Sequence, residues 1–206
     1  MNALSIEHSK AAIAADFVAY VAACAGLLLL LMLNVEPARA PYYTAVLVAG
    51  LITWTAIEYA LHRFVLHAIH PFCDWHEEHH MRPGALIGAP TLVSGMLFLL
   101  LVYVPAYFAL GPWPACAFTL GVLAGYLVYS IHHHAIHRWP STHGWIRRSQ
   151  ARHTKHHDHE GDHFSQPGPF GVTTVFWDHL IGTYPDEGAV RKMPASRSSR
   201  GRYYRI

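Results

Sequence analysis

The sequence predicts an all-α integral membrane protein: four transmembrane helices in two hairpins, with a cytoplasmic helical cap that holds most of the histidines. Three observations predict it. Apolar residues gather into four runs long enough to cross a bilayer, which takes about 20 residues. The links between runs one and two, and between runs three and four, are short. Of the 15 Lys and Arg residues, only Arg39 falls in those two links, and the rest fall on the other side. The 206 residues read as a single membrane-embedded domain.

The first span is placed at 11–33. Ala38-Arg39-Ala40 has the look of a signal-peptide cleavage site. The apolar run before it is too long for the usual h-region, and Pro41 would follow the cut, so the segment reads as a retained helix. The second span is placed at 42–61, with its helix continuing to His67. The third is placed at 90–110, with Pro105 expected to kink it or to mark its end. The fourth is placed at 113–131. Segments 63–89 and 132–206 then share one side, and their excess of basic residues makes that side cytoplasmic, with both termini inside.

The cap comprises 62–89 and 132–185. Ser141-Thr142 can cap a helix over 145–157. Residues 158–169 carry Gly, Asp and Pro and read as a loop. The tail 186–206 is rich in Arg and Ser and reads as a disordered basic segment, with binding to anionic headgroups as the alternative.

Composition narrows the function. The chain is 52% hydrophobic and 14% charged, whereas a soluble domain carries about a quarter charged residues. A net charge of +2 does not favour a nucleic-acid partner. Cys24, Cys73 and Cys116 are scattered, so neither a disulfide framework nor a thiolate metal site is suggested.

Histidine is the anomaly, at 18 residues. Ten of them form four groups: His62 and His67 as HxxxxH; His76, His79 and His80 as HxxHH; His133 and His137 as HxxxH; His153, His156 and His157 as a second HxxHH. At this His content an HxxHH is expected about 0.1 times by chance, so two copies call for a cause. Residues three and four apart share a helix face. On that rule each HxxHH points three imidazoles at one place, HxxxH points two, and HxxxxH needs fraying or two different metals. A low-complexity metal-binding tract would be contiguous, whereas these groups fall in two segments that each follow a membrane exit.

Imidazole suits Fe, Zn, Cu and Ni. Ten imidazoles exceed what one ion takes, so two ions with four or five ligands each fit the count. Glu58, Asp74, Glu77, Glu78, Asp158 and Asp178 lie near enough in sequence to orient imidazoles; Glu58, Asp74, Asp158 and Asp178 are the candidates, against solvated surface charge for each. Glu58 stands out, because an unpaired carboxylate near the membrane is costly. His70, His132, His134, His143, His159, His163 and His179 fit none of the patterns, and His8 is given no role.

The four groups beside two hairpins resemble the fatty acid hydroxylase/sterol desaturase superfamily, from about residue 58 to 184. Glu58-Tyr-Ala-Leu-His62-Arg-Phe-Val-Leu-His67 is similar to the opening box of the fatty acid 2-hydroxylase branch. Phe170-Gly-Val-Thr173 and Trp177-Asp-His-Leu-Ile-Gly-Thr183 resemble its closing segment. The resemblance implies the ten histidines as ligands of two iron ions, with zinc able to replace iron in a purified sample. It implies O2 as co-substrate and hydroxylation of a membrane lipid, most of all a fatty acyl chain entering from the bilayer.

Three departures accompany the resemblance. Group three usually reads HxxxHH, and here Arg138 stands in the last place. The loop 158–169 is longer. No cytochrome b5-like domain is attached, so a separate electron-donor protein is expected, ferredoxin-like or cytochrome b5-like with its reductase. That compactness favours a bacterial inner membrane over an endoplasmic-reticulum membrane. Ile136-His-Arg-Trp-Pro140 is similar to carotenoid hydroxylases, so a carotenoid or sterol hydroxylase or desaturase is the alternative. A zinc-dependent membrane hydrolase and a metal-binding or transport protein rank lower, since transport sites usually lie near the bilayer midplane. Trp54, Tyr59 and Trp75 could line the mouth of a lipid slot, but an interfacial aromatic belt is the preferred reading.

Overall fold

The computed structural model describes residues 7–157 and 168–184. The tail 186–206, nearly all of the loop 158–169, and Asp158, His159 and His163 lie outside them. Among the described residues every regular element is helical.

Helix α1 (Lys10–Asn34) starts where Ser9 accepts a hydrogen bond from the amide of Ala12 at 3.1 Å, which satisfies one of the otherwise unpaired first-turn donors. A 3-10 turn, Pro37–Arg39, leads into α2 (Ala40–Ala60), and the same helical path continues as a π-helical turn, Leu61–Leu66. Helix α3 is Phe72–Met81. The third apolar stretch is α4 (Thr91–Phe98), a π-helical turn Leu99–Tyr103, and α5 (Val104–Leu110). Then come α6 (Pro112–Arg138), α7 (Gly144–His157) and the short α8 (Phe176–Ile181).

Four helical stretches are long and apolar enough to cross a membrane: Lys10–Asn34, Pro37–Leu66, Thr91–Leu110 and Pro112–Arg138. The second runs to Leu66, about where its helix was expected to end, and the fourth outruns its expected end at 131, because the helix carries on through the histidine group. Pro105 does not end the third. Proline offers no N–H to the carbonyl four residues back and crowds it, and the wider turn Leu99–Tyr103 lets the helix continue past it.

The chain divides into two compact units, Met1–Glu58 with Leu86–Ile131, and Tyr59–Ala85 with His132–Ile206. In the first unit α6 supplies the buried centre, with Ala115, Ala117 and Val122 at 0% exposure. Small residues let α2 meet it closely. A Cβ added at Gly50 would lie 2.1 Å from the Phe118 carbonyl oxygen, and one at Gly121 would lie 2.0 Å from that of Leu47. Close backbone approach through small residues is how helices associate where lipid removes the hydrophobic drive. Polar groups inside this unit find each other; the Tyr20 hydroxyl donates to Ser94 Oγ at 2.7 Å.

The outer face is apolar: Met32, Leu92 and Phe108 are 73%, 79% and 82% exposed. Apolar exposure on this scale needs a cover, and with four spans that cover is lipid. The chain is a multi-pass membrane protein. An aromatic belt does not account for Trp54 or Tyr59. Trp54 is buried, with its ring 5.3 Å from Tyr126 and 5.8 Å from Tyr129. Tyr59 is buried in the second unit. Trp75 is half-buried, 5.5 Å from Phe72.

Gly121→Leu tests the helix contact. Overpacking costs about 1–3 kcal/mol, occasionally more, and here the added atoms meet backbone. The expected result is a lower thermal midpoint in detergent. An unchanged midpoint would show that α2 and α6 are not held this closely.

Candidate metal centre

The ten grouped histidines lie in the second unit, and nine of them fall into two sets. His62, His67, His76, His80 and His156 each offer one nitrogen within 4.8 Å of the others, as do His79, His137, His153 and His157. His133 adjoins the second set, its Nε2 3.2 Å from those of His137 and His153.

The distribution corrects the expectation that an HxxHH converges on one place. At about 100° per residue, positions four apart nearly eclipse, while adjacent positions point well apart. So α3 gives His76 and His80 to the first set and His79 to the second. Helix α7 does the reverse, giving His153 and His157 to the second and His156 to the first. Fraying is not needed for HxxxxH. Residues five apart are about 140° apart on an α-helix, and the π turn Leu61–Leu66, with its i→i+5 bonding, brings His62 and His67 to one side. Their rings lie 5.0 Å apart.

Within the first set, Nε2–Nε2 distances are 2.9 Å for His62–His76, 3.0 Å for His76–His80, and 3.1 Å for His62–His156 and His67–His156. In the second, His137–His153 is 2.8 Å and His153–His157 is 3.0 Å. Nitrogens about 2.1 Å from one ion stand about 3.0 Å apart at right angles and about 3.4 Å apart in a tetrahedron. The observed spacing fits the former, with room for more than four ligands. The two sets are adjacent: the rings of His80 and His157 stack 4.1 Å apart.

A metal also resolves an otherwise costly burial. Both ring nitrogens of buried His79 lack a hydrogen-bond partner among the described residues, and an unpaired buried polar atom costs about 1–3 kcal/mol. Burial first, and neighbouring imidazoles second, hold His76, His79, His80, His153 and His156 well below the ordinary histidine pKa. Burial lowers His157 to about 4. Each is therefore neutral at pH 7, the form that binds metal.

One of these imidazoles is fixed from behind. His62 Nδ1 donates to the Phe170 carbonyl at 2.5 Å, which leaves Nε2 unprotonated and facing the set. Asp178, fully buried, holds Phe170 in place. Its Oδ1 accepts from the Phe170 amide at 2.8 Å and its Oδ2 from the Gly171 amide at 2.9 Å. Its Oδ1 also accepts from Thr183 Oγ1 at 2.8 Å. Arg63 donates to the Tyr59 hydroxyl at 2.7 Å, and Tyr59 and Thr183 share a hydrogen bond at 3.1 Å. Gly171 is required, because a Cβ there would lie 1.9 Å from the Thr174 carbonyl oxygen. Gly182 closes α8 at φ 74°, a conformation few other residues adopt.

Residues 47–183 match the sequence model of the family described as fatty acid hydroxylase. The chain belongs to the fatty acid hydroxylase family. A dihydroceramide fatty acyl 2-hydroxylase of Arabidopsis thaliana is 30% identical, over 74% of this chain and 65% of its own length. The fatty acid 2-hydroxylase of Rattus norvegicus is 28% identical over 73% and 42%. A ceramide very long chain fatty acid hydroxylase of Saccharomyces cerevisiae is 32% identical over 66% and 36%. The chain thus spans at most 65% of these relatives. The structure of full-length Scs7p, in which only the hydroxylase domain is visible, matches with a TM-score of 0.68 at 23% identity, covering 88% of this chain and 68% of that one. The likeness to the 2-hydroxylase branch that the motifs implied is what these relatives show.

The other acidic candidates differ in their surroundings. Asp74 is exposed and pairs with His70 at 3.0 Å. Glu78 pairs with Arg82. Glu58 is buried in the first unit, where its charge acts on Tyr129. His132 is buried against Trp145 at 4.4 Å, and His179 stacks on Tyr184 at 4.2 Å. Sequence reasoning missed Tyr59, Arg63, the Phe170 carbonyl and Thr183 as supports. The signals for them were the opening box, which contains Tyr59 and Arg63, and the closing motifs, which contain Phe170 and Thr183.

Two outcomes follow from this geometry. Asp178→Ala leaves two amides and a hydroxyl without their acceptor. At about 1–3 kcal/mol each, it should destabilise the metal-stripped chain by several kcal/mol in denaturant titration and weaken metal binding about 10–100-fold. Acid should act through the lowered histidines. In the unfolded chain they take protons near pH 6.5, but in the folded chain only well below it. Stability of the metal-stripped chain is therefore full above about pH 6.5 and falls as the pH drops below it, by up to about 1.4 kcal/mol per unit for each such histidine. A flat unfolding midpoint between about pH 7 and pH 5 would refute the neutral burial of these rings.

Proposed function

We propose that this chain is a di-iron oxygenase that hydroxylates a fatty acyl chain of a membrane lipid. The observation that carries the reading is the gathering of grouped imidazoles into two adjacent sets in a fatty acid hydroxylase chain. His62, His67, His76, His80 and His156 would hold one iron; His79, His133, His137, His153 and His157 would hold the other. Bound there, the irons supply O2 activation and attack on an unactivated C–H bond. The balance is one R–H, one O2, two electrons and two protons, giving R–OH and water. The electrons come from a separate donor protein.

The protein holds and orients. Nearly every ligand sits on a helix, so its direction is set by the backbone. His62 keeps its proton on Nδ1, bonded to Phe170, and presents Nε2. Asp178 positions that loop. Burial of the imidazoles keeps water from the reacting centre. The lipid-facing spans suit a substrate that never leaves the bilayer. The bias of Lys and Arg favours the cytoplasmic face for the histidine-bearing unit.

The test is anaerobic purification with iron and zinc counted per chain, followed by lipid mass spectrometry of cells expressing wild type or His76→Ala. The expected result is two metals per chain in wild type, lipids that gain one oxygen atom only with O2 and iron, and loss of both in the variant. Loss of two hydrogens instead would point to desaturation. Product formed without O2 would overturn the reading.

A further inference from the structure

A second kind of ligand set lies apart from the ten grouped imidazoles. His70, Cys73 and Asp74 place a nitrogen, a sulfur and an oxygen within 4.8 Å of one another. His70 Nδ1 is 3.0 Å from the Asp74 carboxylate and 3.4 Å from Cys73 Sγ, and Cys73 Sγ is 3.9 Å from Asp74. Around one tetrahedral ion, such donors stand about 3.4–3.6 Å apart, so small side-chain shifts would close the site. The side chains of His70 and Asp74 are 75% and 59% exposed. These three residues line one pocket together with His67, His76 and His80, three of the five imidazoles of the first set.

A surface ion pair between His70 and Asp74, one turn apart, accounts for two of the three groups and contributes little. It accounts neither for the thiol beside both nor for the pocket shared with the buried imidazoles. We propose that His70, Cys73 and Asp74 form a third, exposed metal site, which takes Fe2+ or Zn2+ and loads the first imidazole set through that pocket. The mixed S, N and O donors suit borderline cations and disfavour Mg2+ and Ca2+. Three protein ligands leave a position for water, so the ion exchanges readily, and five imidazoles then hold it more firmly. On binding, the Cys73 proton passes to solvent, and on transfer the thiolate takes one back. The loading role rests on the di-metal reading above; the exposed site does not.

The experiment uses the full chain in detergent, stripped with chelator and titrated with Co2+. A thiolate-to-cobalt charge-transfer band should appear. Cys73→Ser should abolish it, while Cys24→Ser and Cys116→Ser should keep it. His70→Ala should weaken Co2+ binding at this site about tenfold or more. Both Cys73→Ser and His70→Ala should slow filling of the imidazole sets, followed by their own cobalt absorption, with the final amount unchanged. A band that never forms, or that survives Cys73→Ser, overturns the site. Equal filling rates overturn the loading role. Imidazole sets that take no cobalt while the band persists would sink the di-metal reading and the loading role together.

Discussion

Unprotonated imidazole nitrogens held about 3 Å apart are the constraint on which the second unit depends. Where two such atoms face each other as lone pairs they repel, and their partial burial limits how far water can compensate. Protonation does not relieve this, because adjacent buried cations repel more strongly. A divalent ion at the focus of each set would turn the repulsion into ligation. Metal binding would complete the polar core of this unit and add to its stability. The short reach of each imidazole explains why four helical segments are drawn to one place.

The grouping of ten histidines was legible in the sequence; their division into two sets was not. Counting grouped histidines gave ten, and helical spacing placed them on helix faces. But treating positions three and four apart as equivalent hid an angle of about 100° between His79 and His80. That angle is what divides each HxxHH between the two sets. The same arithmetic, applied strictly, would have predicted the division. The π turn at Leu61–Leu66 was less accessible. A π turn gains little locally and persists because tertiary contacts hold it, so only the odd spacing of His62 and His67 hinted at it.

The membrane spans were legible because composition alone decides them. The supports of the site were not, because closeness along the chain is a poor guide to closeness in space. Asp74 follows His70 by one helical turn, and that local pairing takes its carboxylate to the surface. Asp178 is far from His62 in sequence, yet reaches it through the backbone of Phe170. The closing motifs are one object: Phe170 and Gly171 supply the amides, Asp178 the acceptor, Thr183 the hydroxyl and Gly182 the left-handed stop. A string of residues could mark that object as familiar but could not say what it does. The three donors on Asp178 explain why a carboxyl group is tolerated at full burial: its oxygens exchange water for two amides and a hydroxyl.

The departure at Arg138 can be judged on the same geometry. On α6, His133 and His137 differ by about 40° around the axis, whereas position 138 is about 140° from His133 and about 100° from His137. A side chain at 138 therefore points away from the face that the two ligands share. The Arg138 guanidinium donates instead to the Gly84 carbonyl, in the turn that follows α3. That contact ties the end of one histidine-bearing helix to the exit of another. A guanidinium does this better than an imidazole, being longer and always charged. The residue that separates this sequence from the usual HxxxHH is thus engaged with the Gly84 carbonyl, apart from both imidazole sets. It changes how two helices are tethered, and leaves the ten grouped imidazoles whole.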